Sequence, residues 1–81
     1  MKMKTTNTFT TSDLSLATTL SMYFPIKFID KADTNRVEFG FDNTSELNKL
    51  IEAFWKNELT VEPKHFFNQL RTVKARIYDK R

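Results

Sequence analysis

Hydrophobic and polar residues alternate along residues 36–41, as they do in a β-strand with one buried face. The apolar positions of this strand are Val37, Phe39 and Phe41. Residues 25–31 form a second apolar run, and the segment 32–35 between the two runs contains Asp and Asn, which favour a turn. The pattern therefore predicts a β-hairpin with one apolar face and one mostly polar face.

The first strand of this hairpin has the less regular pattern. We expect Ile26 and Phe28 to point toward the core, since they occupy alternate positions. The outer face is then expected to carry Lys27, Ile29 and Lys31. A further short strand is predicted over residues 7–11, which are rich in β-branched and aromatic side chains. The sequence does not decide which of its residues point inward.

Helical periodicity follows this first strand. Ser12 is the expected N-cap, and Asp13 falls in the first turn, where the helix dipole favours an acidic side chain. Pro25 ends the helix, because the residue before a proline is pushed out of the α conformation. The predicted helix covers residues 13–23. Along the run 14–24, one side at helical spacing carries the apolar residues Leu16, Ala17, Leu20, Tyr23 and Phe24.

Two more helices are predicted in the second half of the chain. Asn43 followed three residues later by Glu46 has the spacing of a capping box and predicts a helix over about residues 44–57. Pro63 suits the first turn of a third helix, which extends to about Tyr78. The apolar stripe of this third helix is Phe66, Leu70, Val73 and Ile77.

The predicted element order is β–α–β–β–α–α, which is typical of the α+β class. We expect a two-layer domain in which the helices pack on one face of a three-stranded antiparallel sheet. The single domain is predicted to cover residues 7–79, preceded by a flexible tail, 1–6, and followed by a short basic end, 80–81. Residues 59–62 are predicted to be a loop or a fourth short strand.

Four stretches of this chain, taken in order, resemble a known family. They are residues 9–20, the strand 37–42, and the C-terminal segments 61–67 and 70–78. Over about residues 8–78 the chain is similar to domain-of-unknown-function family 5659. The resemblance implies a stand-alone microbial or viral α+β domain of roughly this length. It brings no known activity, substrate or catalytic residue.

Composition excludes several classes of function. The single glycine cannot supply a phosphate-binding glycine-rich loop, and the absence of cysteine removes disulfides, thiolate metal sites and cysteine nucleophiles. His65 is the one imidazole, and no nucleophile or oxyanion site accompanies it in the sequence. We therefore expect no enzyme, no catalytic residue, no metal site and no cofactor, and we interpret His65 as a surface or capping residue.

Charge is distributed unevenly along the chain. The formal net charge is +3, yet residues 63–81 contain six basic residues and one acidic residue. Residues 1–62 contain the other seven basic and nine acidic residues, for a local net charge of −2. Such asymmetry suggests that the C-terminal part faces a polyanion, although a solvated basic helix is the commoner explanation.

The basic residues give the first functional hypothesis, a small binding module that contacts nucleic acid. The third helix carries the candidate residues Lys64, Asn68, Arg71, Lys74 and Arg76. The hairpin extends this candidate surface with Lys27, Lys31 and Arg36. Repeated cations on one helix suit phosphate binding, because each neutralised phosphate releases counterions. A helix-turn-helix does not fit the predicted connection between the second and third helices. An RNA-recognition fold does not fit the expected faces of the strands.

The second hypothesis is a protein-binding adaptor or inhibitor, of the kind that a phage or mobile element encodes. Its surface would be the hairpin edge or the aromatic side chains at the edges of the helices, Trp55 and Tyr78. The sequence shows no signal segment and no apolar run long enough to cross a bilayer, so we expect a cytoplasmic protein without a membrane partner. The oligomeric state is not determined by the sequence.

Overall fold

A computed structural model describes residues 7–33 and 36–78. Its elements are β1 (Thr8–Thr11), α1 (Leu14–Ser21), β2 (Phe28–Asp33), β3 (Arg36–Asp42), α2 (Ser45–Trp55) and α3 (Pro63–Tyr78). The predicted α+β class and element order are confirmed, and residues 59–62 form a loop. The predicted tail at residues 1–6, the basic end at 80–81 and part of the hairpin turn lie outside the described residues.

The three strands form one antiparallel sheet in the order β1-β3-β2. β3 is the central strand, because the connection through α1 carries the chain from one edge of the sheet to the other. In β1, Phe9 lies opposite Phe41 and Thr11 lies opposite Phe39. Directly paired residues share a face of the sheet, so Phe9 and Thr11 point inward. The register thus decides the question that the β1 sequence left open.

The inward face of β2 differs from the prediction. Ile29 lies opposite the buried Phe39 and packs against the core, whereas Phe28 lies opposite Gly40 on the outer face. The expected inward position of Phe28 and outward position of Ile29 were therefore wrong. The reason is Gly40, because the ring of Phe28 occupies the space that a Cβ atom at this position would need. Because Gly40 has no side chain, the ring of Phe28 can pack directly over the central strand on the outer face.

The core lies between the sheet and the helices, and α1 is at its centre. All five residues from Leu16 to Leu20 are buried, since α1 contacts β1, α2 and α3. A helix that is covered on several sides is apolar or small around most of its circumference, as the sequence of α1 is. The other buried apolar side chains are Phe39, Phe41, Leu47 and Val73.

Side-chain caps set where the first two helices begin, in both cases one residue later than predicted. Asp13, and not Ser12, is the N-cap of α1, and its Oδ1 accepts a hydrogen bond from the N–H of Leu16 at 3.2 Å. Thr44, and not Asn43, caps α2, so Glu46 does not stand at the capping-box position. Each site has two adjacent cap-forming residues, and the second one has the extended backbone that a cap requires.

Hydrogen bonds define both ends of the connection from α2 to α3. Asn57 has a positive φ of 60°, and the N–H of Glu58 donates to the carbonyl of Ala53 at 2.9 Å. This is a Schellman motif, which ends α2 cleanly. At the far end of the loop, the carboxylate of Glu62 accepts from the N–H of His65 at 2.8 Å. The direction in which α3 leaves the loop is therefore set by defined contacts.

Candidate functional site

Helix α3 docks on the domain through one narrow side. Val73 is fully buried, and Ile77 packs against the core cluster. Gln69, four residues before Val73, donates from Nε2 to the hydroxyl of Ser21 on α1 at 2.9 Å. These contacts fix the rotation of α3 about its own axis. The opposite side of the helix is consequently presented to solvent in a defined orientation.

That solvent-facing side carries four of the five α3 residues predicted from the sequence. We call it the α3 outer face, and its members are Lys64, Asn68, Arg71 and Lys74, all of them exposed. The four residues span about 120° of the helix circumference. Among the described residues, no carboxylate forms an ion pair with these cations. Arg76, the fifth predicted residue, lies outside the α3 outer face. It stands in the last turn of α3, where the helix dipole favours a cation.

The hairpin cations are placed differently. The Nζ of Lys27 lies 2.9 Å from Oδ1 of Asp42, and the guanidinium of Arg36 lies 3.8 Å from the carboxylate of Glu38. Arg36, Glu38 and Asp42 alternate with the inward residues of β3, so both pairs lie on the outer face of the sheet. The structure does not bring Lys27 and Arg36 to the side of the sheet on which α3 packs.

Lys31, the third hairpin cation, forms a hydrogen bond to the C-terminal end of α3. It lies on the helix side of the sheet rather than on the predicted outer face, and its Nζ donates to the carbonyl oxygen of Ile77 at 2.9 Å. The last carbonyls of a helix lack partners within the helix, and a lysine ammonium group satisfies them while complementing the helix dipole. The position of Lys31 is therefore that of a cap for α3.

Several aromatic side chains are exposed. Trp55 is 60% exposed and Tyr78 is 74% exposed, as the protein-partner hypothesis requires. Trp55 stands at a cleft of about 410 Å³ between α1, the end of α2 and the following loop. Phe67 is 59% exposed and was missing from the predicted site, although its position one turn before Arg71 places it beside the α3 outer face.

The remaining candidate features of the described residues are His65, metal-ligand clusters and membrane-spanning helices. His65 is exposed, at the edge of a cleft that it shares with Met22 and Tyr23. Within residues 7–33 and 36–78, no group of three or more His, Cys, Asp or Glu side chains is arranged to hold a metal ion. No helix in these same ranges is long and apolar enough to cross a membrane.

Fold and surface together define a small two-layer α+β domain, in which a central helix is flanked by two others and one of these presents a basic outer face. The chain belongs to the family described as Domain of unknown function (DUF5659), whose model matches residues 6–79. The resemblance seen in the sequence is thereby confirmed. No curated protein and no solved structure matches the chain significantly.

Proposed function

We propose that this protein is a non-enzymatic binding module that contacts nucleic acid through the α3 outer face. One observation carries the proposal. The cations of the α3 outer face have no ion-pair partner among the described residues, whereas the hairpin cations Lys27 and Arg36 are each paired with a carboxylate. Arg71 and Lys74 therefore keep their full charge available to a phosphate.

The geometry of α3 suits a phosphate backbone. Its cations are held on a helix whose rotation is fixed by Val73 and Gln69, so they form a row and not a scattered set. Each phosphate that such a row neutralises releases counterions, which supplies sequence-independent affinity. Asn68, in the same row, adds an amide that can donate a directional hydrogen bond to a phosphate oxygen.

The proposal is tested by charge reversal on α3 and a matched reversal elsewhere. The test variant is Arg71→Glu/Lys74→Glu, and the control is Lys49→Glu/Lys56→Glu, which alters two exposed lysines of α2 and the turn after it. Both variants change the net charge by the same amount. Fluorescence anisotropy with labelled oligonucleotides measures the affinity at low and at physiological salt, and circular dichroism measures folding.

We expect the α3 variant to lose at least about tenfold in affinity, because close phosphate contacts become repulsive. The α2 control should lose much less, since its lysines act only through the long-range field of the protein. Equal losses in the two variants would show that net charge alone, and not the α3 outer face, attracts the nucleic acid. No binding by the wild-type protein at low salt would refute the proposal.

A protein partner is the second candidate function, and the exposure of Trp55 favours it. Trp55 contacts Phe54 edge to face, with ring centroids 4.9 Å apart, and borders a cleft lined in part by Leu59 and Val61. An exposed tryptophan beside an apolar cleft is typical of the centre of a protein interface. Binding at this cleft should persist at high salt, which distinguishes it from binding at the α3 outer face.

A further inference from the structure

One flank of the α3 outer face has two cationic side chains that lie between two aromatic ones. Phe67, Arg71, Lys74 and Tyr78 follow one another at intervals of four, three and four residues. On a helix these positions lie within about 60° of one another and span about 16 Å along the axis. We call this set the mixed stripe. Both of its aromatic side chains are more than half exposed, and both of its cations are exposed.

The surface along the mixed stripe is concave and partly apolar. A depression of about 310 Å³ is lined by Phe67, Leu70, Arg71 and Lys74. The ring of Phe67 packs edge to face against Phe66, with centroids 5.8 Å apart and an interplanar angle of 75°. This contact limits the orientations open to Phe67 while leaving most of its surface accessible. The stripe therefore presents a ring of restricted orientation next to two cations that have no ion-pair partner among the described residues.

We propose that the mixed stripe binds single-stranded nucleic acid, with bases stacked on Phe67 and Tyr78 and phosphates held by Arg71 and Lys74. This inference rests on the proposed function and adds the form of the nucleic acid. A single strand exposes the flat faces of its bases, and aromatic side chains next to a cationic groove are the usual platform for them. A duplex hides those faces, and inserting a ring between its base pairs requires unstacking. Between the two forms of nucleic acid, exposed rings therefore favour the single strand.

The experiment compares four labelled probes of equal length: oligo-dT, oligo-rU, a DNA duplex and polyglutamate. The full chain is titrated into each at low salt. The test variant is Phe67→Leu/Tyr78→Leu, which keeps apolar bulk and removes the aromatic rings. The control is Tyr23→Leu/Trp55→Leu, which removes two exposed aromatic side chains outside the stripe. Proton NMR of the wild-type protein with oligo-dT follows the ring signals of Phe67 and Tyr78 independently of any substitution.

We expect the wild type to prefer the single strands to the duplex, and the test variant to lose at least about tenfold in single-strand affinity. The duplex affinity of the test variant and all affinities of the control should change less than about twofold. The ring signals of Phe67 and Tyr78 should shift upfield, as stacked rings do.

Two results overturn the inference, and they are distinguishable. Equal affinity for single strand and duplex, unaffected by the loss of the rings but abolished by Arg71→Glu/Lys74→Glu, would refute stacking and leave the proposed function intact. No binding to any nucleic acid, or tighter binding to polyglutamate, would refute both and identify the stripe as a surface without a ligand or as a site for an acidic protein.

Discussion

The basic residues of the β2–β3 hairpin and those of α3 look alike in the sequence but differ in their surroundings. Lys27 and Arg36 each lie beside a carboxylate, and Lys31 caps the carbonyl of Ile77. Arg71 and Lys74 have no ion-pair partner among the described residues. Exposed ion pairs contribute little to stability, but they do cancel charge locally. Of these two sets of cations, the α3 outer face therefore keeps the larger net positive charge available to a phosphate.

Because of this difference, the hairpin cations and the α3 cations should respond differently to an approaching phosphate. A phosphate that approached Lys27 would also approach Asp42, 2.9 Å away, and would gain little. Lys31 would have to give up the end of α3 in order to bind an external anion. The hairpin cations are thus engaged by groups of the domain itself, and Lys31 among them supports the end of α3, whereas the cations of α3 remain available for binding. Variants that act on stability alone or on binding alone can test this division.

The largest expected effect on stability comes from the docked side of α3. Val73→Ala removes two methyl groups from a fully buried position and should lower the free energy of unfolding by about 2 kcal/mol. In a domain of this size, that loss lowers the melting temperature by roughly 10 °C. Arg71→Ala, on the exposed side of the same helix, should change stability by less than about 0.5 kcal/mol. Urea titrations of both variants measure the difference, and equal losses would contradict the two-sided description of α3.

A smaller effect on stability is expected from the charge of Lys31. Lys31→Glu removes a hydrogen bond to the last turn of α3 and puts a negative charge at the negative end of the helix dipole, which should cost about 1 kcal/mol. Lys64→Glu is the matched control, since it lies in the first turn of α3, where an acidic side chain is favoured. The control should leave stability unchanged or raise it by a few tenths of a kcal/mol. If both variants melt at the same temperature, Lys31 does not act as a cap.

The helices and strands could be predicted from the sequence because their patterns are local. The alternation in β3 and the apolar positions Val73 and Ile77 of α3 each identify a buried side without reference to the rest of the chain. Phe66 and Leu70 of the predicted stripe are only half-buried. Phe28 and Ile29 are adjacent apolar residues, so either could point inward. The choice depends on Gly40 across the sheet, and neither residue's local sequence contains that information.

The candidate site likewise has one part that the local sequence predicts and another part that it does not. The α3 outer face follows from helical spacing, so its residues could be predicted together. The role of Lys31 depends on a residue that is distant in the sequence, since Lys31 and Ile77 are 46 positions apart. Phe67 was missed because the candidate set was chosen by charge, and a phenylalanine at the edge of an apolar stripe can be buried or exposed. Its place one turn before Arg71 was the available signal.

The salt dependence of nucleic-acid binding tests the division between the two sets of cations most directly. Lys64→Gln/Arg71→Gln/Lys74→Gln and Lys27→Gln/Lys31→Gln/Arg36→Gln each remove three positive charges, so both variants fall from a formal net charge of +3 to zero. The slope of log K against log salt concentration should lose about 0.7 to 0.9 for each phosphate contact removed. We predict that the α3 variant loses a slope of about 2 to 3 and the hairpin variant almost none. An equal loss of slope in both variants would contradict the account.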